Sequence, residues 1–560
     1  MSTKLLKRML ANRIRSTQCT TYSIWTSDNI VRSKFKDITL PKETLTNHIW
    51  EKLDRWADKP ALICGVSNRC ITYHQLMKFS KIFAAQLRNK FNISDGNVVL
   101  IMMNNIPEYA ITLLGAAEAG AEVTTVNPTY TVYEVQRHIM LSDPKILIGT
   151  PDMVPLFKNA LKLSKKVIPI INCSNDNSTI IDTVSFNELI EDSHVNMNVL
   201  NNVKRSAEDV VLLPYSSGTT GLPKGVELTH RSIVSNFLQQ NDEHIRQYED
   251  TTVSHQDSVL AVLPFFHLYG LAIVLLHKLS VGCKIVTLPQ FQPNTFVNAL
   301  EQHNISILYA APPLVLFLGS YVGVKQHHFD SIRRIMSAAA PIPKADIENI
   351  LKKGKRMEFL QGYGLTETSP LVTTFEIGYQ NYTSAGLPLP NTELKVVDPN
   401  GQALSSNKIG ELLIRGPQVM KGYRNNTEAT KNAITEDGWF KSGDLCSINE
   451  DGYVTVIDRL KELIKVKGFQ VAPAELESVI KEHPSVLDAG VIGVPDENTG
   501  ERPKAFIVLK DGYTCQAQDI ASFVANYVAD YKRLKEVEFV ERLPKSPSGK
   551  LLRRVLKENF

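Results

Sequence analysis

One short segment, residues 215–230, is rich in glycine and hydroxyl side chains and lies between a predicted strand and a predicted helix. It reads YSSGTTGLPKGVELTH, follows the apolar run 210–213 and precedes the predicted helix 230–240. Glycine lets backbone amides approach a polyanion closely, while hydroxyl and ammonium groups donate to phosphate oxygens. The segment therefore predicts a phosphate-binding loop rather than a flexible Ser/Gly linker. The residues that we expect to contact phosphate are Ser216, Ser217, Gly218, Thr219, Thr220, Gly221 and Lys224.

The length and composition of the chain predict a large globular protein with more than one folding unit. The 560 residues are 43% hydrophobic and 21% charged, which is ordinary for a globular chain and excludes wholesale disorder. Seven scattered cysteines without a CxxC pair suit reduced thiols rather than a disulfide framework. The net charge of +4 is concentrated in the first 25 residues, which hold five cations and no acid. Nothing in the charge balance therefore predicts a nucleic-acid partner.

Apolar runs alternate with helix-like stretches along most of the chain, which predicts an α/β fold with parallel sheets. Predicted helices lie at 73–90 and 108–119, and predicted strands lie at 98–102, 146–148, 166–171, 210–213, 284–288, 305–310 and 332–336. After residue 386, predicted strands at 393–397, 411–415 and 453–457 indicate a small β unit. Beyond residue 458 the pattern is α+β, with predicted helices at 474–481 and 519–530. We therefore predict a large multi-lobed N-terminal domain over 38–458 and an α+β C-terminal domain over 459–560.

The two ends of the chain and its most apolar stretch are the segments that could carry a targeting or membrane signal. The first 25 residues are basic and acid-free, and their apolar residues fall near helical spacing. They predict a mitochondrial transit peptide over 1–25, the alternative being a basic extension on a cytoplasmic protein. The final residues, KENF, are not a peroxisomal SKL-type signal. The apolar stretch 259–276 is interrupted by Pro264, His267 and Gly270, which favours a buried strand, a turn and a buried helix over a transmembrane segment.

Six further short segments occur along the chain in an order that resembles one known superfamily. They read NPTYT at 127–131, LPFFHLYG at 263–270, QGYGLTET at 361–368, GWFKSGD at 438–444, DRLKELIKVKGFQV at 458–471 and PKSPSGK at 544–550. With the loop, they resemble the adenylate-forming superfamily of acyl-CoA synthetases, 4-coumarate–CoA ligases, firefly luciferases and peptide-synthetase adenylation domains. The resemblance implies two half-reactions. A carboxylate attacks the α-phosphate of ATP to give acyl-AMP and pyrophosphate, and a thiol, usually that of coenzyme A, then attacks the acyl-AMP.

The resemblance also implies which side chains hold the nucleotide. Glu367 is expected to bind Mg²⁺ and Thr366 to donate to the α-phosphate. Tyr363 is expected to stack on adenine, Asp444 to accept from the ribose hydroxyls and Arg459 to make a second ribose or phosphate contact. Further nucleotide contacts are expected from Ala339 and, through close backbone approach, from Gly362 and Gly364.

Two lysines of the C-terminal domain are assigned, by the same resemblance, to the two half-reactions. Lys550 is expected to enter the site and bridge the attacking carboxylate and the α-phosphate. The C-terminal domain is expected to be mobile and to rotate at Lys461 after adenylation. Lys550 then leaves and Lys465 arrives, with Gln470 on the same face and Gly468 lining the tunnel for the pantetheine arm of coenzyme A.

The segment around His267 resembles the family's gate for the acyl carboxylate. His267 would orient that carboxylate or help to steer the thiol. Tyr269 and Leu271 suggest an apolar pocket, and relatives often have glycine at the position of Ala338. Because the methyl group of Ala338 narrows the pocket wall, the substrate is not carried over from coumarate or luciferin.

The leading prediction is an ATP-dependent, AMP-forming carboxylic acid–CoA ligase for an apolar acid, fatty or aryl. The alternatives are a luciferase-like monooxygenase and a stand-alone adenylation enzyme that loads a carrier-protein thiol. The expected ligands are the acid, ATP, Mg²⁺ and coenzyme A. We expect a monomer or a loose homodimer.

Overall fold

The structure of the protein is a computed structural model. It describes residues 24–174, 180–192, 194–216, 223–340, 342–354, 357–379, 382–466, 469–496, 499–528, 530–546 and 549–558. The expectations for the first 23 residues and for Ser217, Gly218, Thr219, Thr220, Gly221 and Gly468 lie outside the described residues.

The first lobe is built on a nine-stranded, mostly parallel sheet. Its described strands run in the order Tyr215–Ser216, Lys224–Thr229, Val210–Leu212, Glu122–Thr125, Val98–Met102, Ile146–Gly149, Ile170–Asn172 and Val184–Ser185, and Gly422–Tyr423 pairs with Lys224–Thr229. Every residue of Val98–Met102 is buried, and alternate residues of this strand join two different apolar clusters. Both faces of the sheet are therefore covered, as in parallel sheets generally. The helices of this lobe are Tyr73–Phe91, Pro107–Glu118, Val132–Ser142, Val154–Ser164 and Phe186–Glu191.

The second lobe is built on another nine-stranded sheet. The described strands run in the order Leu387–Pro388, Leu371–Thr374, Glu358–Gly364, Arg334–Ser337, Ile307–Ala310, Ser258–Ala261, Lys284–Thr287, Pro60–Cys64 and Cys70–Thr72. Its α-helices include His230–Gln239, Pro293–Gln302, Pro312–Ser320 and Lys344–Leu351. The apolar stretch 259–276 supplies the strand Ser258–Ala261 and then a π-helix, Tyr269–His277, which continues as the short α-helix Lys278–Ser280.

A small antiparallel sheet and a C-terminal α+β unit complete the fold. The small sheet orders its described strands as Val31–Arg32, Glu393–Val397, Gly410–Arg415, Phe440–Ile448 and Val454–Arg459. Its first strand comes from the start of the described chain, where the sequence pattern predicts no strand. The C-terminal unit has the strands Ile464–Val466, Phe469–Val471, Val486–Asp496, Gly500–Leu509 and Glu536–Phe539 and the helices Pro473–Lys481, Ala517–Ala525 and Arg553–Glu558.

The α/β class is confirmed, and the predicted bounds differ most from the structure in two elements. The strand predicted at 166–171 forms only over Ile170–Asn172. Lys165 ends the preceding helix with a φ of 52°, and Pro169 has no N–H for a strand ladder. The helix predicted at 519–530 is Ala517–Ala525. None of the described helices combines the length and the apolar character that a membrane span requires.

The apolar core of the C-terminal unit is separate from that of the rest of the chain. One cluster of buried residues contains Ile464, Leu476 and Val491 and draws its members from the C-terminal unit alone. The largest cluster extends from Val31 to Val454. The two parts therefore do not share a continuous apolar core.

Candidate active site

The described parts of the phosphate-binding segment form an antiparallel hairpin. Tyr215 pairs with Gly225 and Ser216 with Lys224, so the two ends of the loop are held together at the edge of the first sheet. The Lys224 ammonium lies 5.0 Å from the centroid of the Tyr423 ring. Burial and then the charge of Lys224 lower the pKa of Lys461, which means that two ammonium groups approach the same region. Such a concentration of positive charge suits a polyphosphate.

Glu367 is held next to this hairpin by two hydroxyl donors. It is 8% exposed and lies in the 3₁₀ turn Thr366–Thr368. Its Oε1 accepts a hydrogen bond of 2.8 Å from Ser216 Oγ and one of 3.1 Å from the Tyr423 hydroxyl. Both hydrogen bonds recorded among the described residues go to Oε1, which leaves Oε2 for a hard cation. The carboxylate therefore fits the expected Mg²⁺ ligand, and Thr366 lies beside it in the same turn.

The glycines on either side of Tyr363 have close protein neighbours, and the one at 364 meets backbone. A Cβ added to Gly364 would lie 1.9 Å from the carbonyl oxygen of Pro370, and one added to Gly362 would lie 2.4 Å from Cε of Met336. Our prediction attributes both glycines to close approach of the nucleotide. At Gly364 the structure adds a reason within the protein, because the strand Glu358–Gly364 there meets a backbone carbonyl, whereas the atom next to Gly362 is the end of a flexible side chain.

Tyr363, Asp444 and Arg459 form one connected group, as their shared role predicts. The Tyr363 hydroxyl donates to Asp444 Oδ2 at 2.6 Å, and Arg459 Nε lies 3.3 Å from Asp444 Oδ1. Asp444 and Arg459 also face each other across two antiparallel strands. Burial raises the pKa of Asp444, and the positive charge of Arg459 opposes that rise.

Lys550 is brought to this group from the C-terminal unit. Burial first, and then the charge of Arg459, lower the pKa of Lys550 to about 8, although the carboxylates of Glu462 and Asp444 act in the opposite direction. The backbone of its loop packs on the N-terminal body, because a Cβ on Gly549 would lie 2.5 Å from Cδ of Pro313. The ammonium of Lys550 is therefore close enough to feel the charges around Asp444.

The charge of Lys550 also reaches His267. Burial lowers the pKa of His267 to about 4, and the charge of Lys550 adds to this effect. Its Nδ1 accepts a hydrogen bond of 3.2 Å from the backbone N–H of Tyr269, so the neutral ring carries its proton on Nε2. A neutral imidazole with a free donor can orient a carboxylate without adding charge.

Ala339 adopts a backbone conformation that is uncommon for alanine. Its φ is 79°, in the left-handed region that alanine enters at a cost of roughly 1–2 kcal/mol. It is exposed and follows the strand Arg334–Ser337, which leads into the predicted wall for adenine and the acid. Strained backbone of this kind is typical of ligand sites.

Lys465 is not brought into this group. It is exposed and lies in the strand Ile464–Val466, paired with Gln470 of the adjacent strand. Its backbone N–H donates to Glu501 Oε2 at 2.7 Å. These recorded contacts lie within the C-terminal unit.

Sequence reasoning missed Tyr423 and the charged residues that surround Lys550. Tyr423 belongs to a two-residue strand, and its GY sequence matches no motif. Arg553 forms ion pairs with Glu462 and Glu477 and belongs to the charged surroundings of Lys550. For Arg553, the only signal in the sequence is that a basic residue follows Lys550 by three positions.

Comparisons with known proteins agree with this geometry. The family model described as AMP-binding enzyme matches residues 49–424, and the model described as AMP-binding enzyme C-terminal domain matches 475–550. The chain is 37% identical to 4-coumarate–CoA ligase 1 of Arabidopsis thaliana, with 95% of each chain covered. It is 39% identical to 4-coumarate–CoA ligase 1 of Solanum tuberosum, with 95% of this chain and 96% of the relative covered.

A solved structure is also similar to this chain. ATP-bound MatB from Rhodopseudomonas palustris superposes with a TM-score of 0.82 at 27% identity, over 93% of this chain and 99% of that one. The predicted resemblance is thereby confirmed, and the chain belongs to the AMP-binding enzyme family, among its adenylate-forming acid–CoA ligases.

Proposed function

We propose that the protein is an ATP- and Mg²⁺-dependent, AMP-forming ligase that joins an apolar carboxylic acid, fatty or aryl, to coenzyme A. The observation that carries the proposal is the position of Lys550. The charge of its ammonium is coupled both to Asp444 and Arg459, in the group with Tyr363, and to His267, which supports a position close to all of them. A cation at that point can lie between a nucleotide and the carboxylate of an acid.

In the first half-reaction, the acid carboxylate attacks the α-phosphorus of ATP. The bond from this phosphorus to the bridging oxygen breaks, and pyrophosphate leaves with the electron pair. Because two anions approach each other, the site must supply positive charge and hold the attack in line. Lys550 supplies that charge at the reacting atoms, and Lys224 and Lys461 supply it at the outgoing phosphates. Mg²⁺ held by Glu367 would neutralise further phosphate charge.

Other residues of the site position the nucleotide. Tyr363 stacks on adenine, Asp444 and Arg459 hold the ribose, Thr366 donates to the α-phosphate, and Ala339 contributes to the wall. The hydroxyl donors of the loop complete the phosphate contacts. His267, neutral at physiological pH because its pKa is about 4, directs its Nε2–H to the acid.

In the second half-reaction, the sulfur of coenzyme A attacks the acyl carbon and AMP leaves. We propose that the C-terminal domain, 459–560, first rotates so that Lys550 withdraws and the face bearing Lys465, Gly468 and Gln470 enters. The separate apolar cores support this rotation, because no apolar core has to be divided by it. The exposed position of Lys465 also suits a residue that acts only after rotation.

The proposed activity is tested by release of AMP from a panel of aliphatic and aryl acids, with and without coenzyme A. We expect thioester formation and AMP release that require coenzyme A. If no acid is consumed with ATP, the proposal fails. AMP release that requires a carrier protein instead of coenzyme A would favour the carrier-loading alternative, and oxygen-dependent light emission would favour the luciferase-like one.

Two lysine variants test the assignment of the half-reactions. Lys550→Ala should abolish acid-dependent exchange of pyrophosphate into ATP but spare conversion of supplied acyl-AMP to thioester. Lys465→Ala should do the reverse. Equal loss of both half-reactions in both variants would contradict the two-state assignment.

We further propose that residues 1–25 are a mitochondrial transit peptide. Their basic, acid-free composition supports this. A fluorescent protein fused to residues 1–30 should enter mitochondria, and a fusion that stays in the cytosol would remove the proposal.

A further inference from the structure

Arg424 is a cation beside the phosphate-binding hairpin to which the proposed reaction assigns no role. Its Nε pairs with Glu227 Oε1, and its Nη2 pairs with Glu122 Oε2. The three side chains are largely buried, with 20% of their surface or less exposed. The two carboxylates lie on different strands of the first sheet, Lys224–Thr229 and Glu122–Thr125. One guanidinium therefore connects the strand that leaves the phosphate-binding hairpin with the interior of that sheet.

The two carboxylates depend on Arg424 for their counter-charge. Burial raises the pKa of Glu122, Arg424 opposes that rise, and the negative charge of Glu227 adds to it. Arg205 is a more distant partner of Glu122, at 4.0 Å, and it also lies 3.9 Å from Asp209. Because a buried carboxylate without a counter-charge is strongly unfavourable, the two ion pairs hold the guanidinium in one position.

The backbone next to Arg424 bridges the phosphate-binding hairpin and the turn that carries the expected Mg²⁺ ligand. The N–H of Arg424 donates to the carbonyl oxygen of Gly225 at 2.8 Å. The N–H of Met420 donates to the carbonyl oxygen of Glu367 at 2.8 Å. The segment 420–424 thus contacts the hairpin at one end and the turn at the other.

Tyr423 gives this segment a second contact with Glu367. Its hydroxyl donates to Glu367 Oε1 at 3.1 Å, and its backbone pairs with Val226 of the strand that also carries Glu227. Because Tyr423 directly precedes Arg424, a displacement of the guanidinium would be transmitted to the Tyr423 hydroxyl over one peptide unit. The position of Glu367 relative to the hairpin therefore depends on how Arg424 is held.

We propose that Arg424 is a positioning residue for the metal–phosphate site, because its two ion pairs hold the segment 420–424, and with it Glu367, in the arrangement that binds Mg²⁺ together with ATP. This inference rests on the proposed function and deepens it, since Arg424 acts through Glu367 and not on the reacting atoms. The effect is confined to the first half-reaction, because acyl-AMP has lost the β- and γ-phosphates that share the metal with the protein.

The test measures nucleotide binding separately from turnover. Calorimetric titration with ATP in the absence of acid, at several Mg²⁺ concentrations, gives the dissociation constant of Mg²⁺–ATP. We expect Arg424→Met to raise this constant, and the Mg²⁺ concentration for half-maximal pyrophosphate exchange, by about 10-fold or more. Conversion of supplied acyl-AMP to thioester should be unchanged. Arg424→Lys keeps the charge but not the planar group that pairs with two carboxylates, and it should recover part of the loss.

Two combined variants separate positioning from a loss of charge or of fold. Tyr423→Phe should weaken Mg²⁺–ATP binding in the unmodified protein but have no further effect in Arg424→Met, because the hydroxyl is then already displaced. The triple variant Glu122→Gln/Glu227→Gln/Arg424→Met removes the unpaired carboxylates, so it should recover the urea midpoint of unfolding but not the affinity for Mg²⁺–ATP. Additive effects of Tyr423→Phe and Arg424→Met, or a triple variant that regains the affinity, would overturn the positioning role.

Arg333 provides the matched control, because it also pairs with two carboxylates, those of Glu249 and Asp257. Arg333 and Asp257 directly precede two strands of the second sheet, at the ends away from the site. Arg333→Met should lower the urea midpoint of unfolding and leave the dissociation constant of Mg²⁺–ATP unchanged.

The remaining outcomes distinguish this inference from the proposed function. If Arg424→Met does not fold, Arg424→Lys combined with Tyr423→Phe decides by the same comparison. A dissociation constant of Mg²⁺–ATP that Arg424→Met leaves unchanged, or that Arg333→Met raises equally, would overturn the positioning role while leaving the ligase activity standing. If the unmodified protein neither binds ATP nor activates any acid, the proposed function itself fails.

Discussion

The ionisation of Lys550 should set the alkaline limit of adenylation. Its pKa of about 8 lies below the usual value for lysine because of burial and the nearby Arg459. The ammonium is therefore present below about pH 8 and is lost as pH rises through that value. We expect kcat/KM for acid-dependent pyrophosphate exchange to fall above about pH 8. The corresponding kcat should fall at higher pH, because bound anions stabilise the ammonium.

The arginine variant provides the control for this pH profile. Lys550→Arg retains a positive charge at all accessible pH values, so its remaining activity should show no fall near pH 8. A profile of the unmodified protein that is flat to pH 10 would contradict the role of the ammonium.

The carboxylate of Glu367 should determine the requirement for Mg²⁺. Glu367→Gln keeps the shape of the side chain but removes its charge, and we expect about a 100-fold higher Mg²⁺ concentration for half-maximal pyrophosphate exchange. Tyr423→Phe removes one donor to Oε1 and keeps the charge, so the expected change is only a few-fold. Equal Mg²⁺ dependence in Glu367→Gln and the unmodified protein would exclude Glu367 as the ligand.

At the scale of single residues, motifs predict which side chains form the site but not how they contact one another. Tyr363 and Asp444 are 81 positions apart, yet they share a hydrogen bond of 2.6 Å. Their adjacency depends on how two sheets pack, which local sequence does not encode. Tyr423 was missed for the same reason. It reaches Glu367 only because its two-residue strand pairs with Lys224–Thr229.

At the scale of elements, the strand that carries Tyr363 should tolerate no side chain at position 364. Because a Cβ there would lie 1.9 Å from the Pro370 carbonyl oxygen, Gly364→Ala should lower the apparent free energy of unfolding by about 3 kcal/mol or more. Gly319→Ala is the matched control. Its Cβ would meet nothing closer than 3.8 Å, and alanine favours its helix by up to about 1 kcal/mol. Urea unfolding of both variants measures the difference, and similar midpoints would contradict the packing argument.

Strands whose apolar residues are either continuous or regularly alternating are the most predictable from sequence. Val98–Met102 and Glu393–Val397 occur at their predicted bounds. Val98–Met102 is buried on both faces, so its sequence is an apolar run without polar interruption. In Glu393–Val397, apolar and polar residues alternate. The strand Val31–Arg32 is not predictable, because two residues carry no period and the strand depends on its pairing with Glu393 and Leu394.

At the scale of the whole molecule, the contact between Gly549 and Pro313 should matter in one half-reaction only. Gly549 has a φ of 80°, and its Cβ would lie 2.5 Å from Cδ of Pro313. Gly549→Ala should therefore oppose the arrangement that holds Lys550 in the site. We expect adenylation to slow by about 10-fold or more and thioester formation from supplied acyl-AMP to be unchanged.

Gly512 offers a control for backbone strain. Its φ of 79° is nearly the same, but a Cβ there would meet nothing within 4 Å. Gly512→Ala should reduce the free energy of unfolding by roughly 1–2 kcal/mol. It should leave the ratio of the rates of the two half-reactions unchanged. If both variants slow adenylation equally, the slowing arises from strain and not from the contact with Pro313.

The π-helix Tyr269–His277 begins two residues after His267, and all of its residues are buried. Its i→i+5 turns are wider than those of an α-helix, and such turns are frequent at functional sites. Deleting one residue within 271–276 would let the segment wind as an α-helix and would change how Tyr269 and His267 are presented to the site. We expect the deletion variant to rank a panel of acids differently from the unmodified protein, and an unchanged ranking would contradict a role of the π-helix in acid selection. A single codon gained or lost in this helix is thus a short evolutionary route between acid specificities on one scaffold.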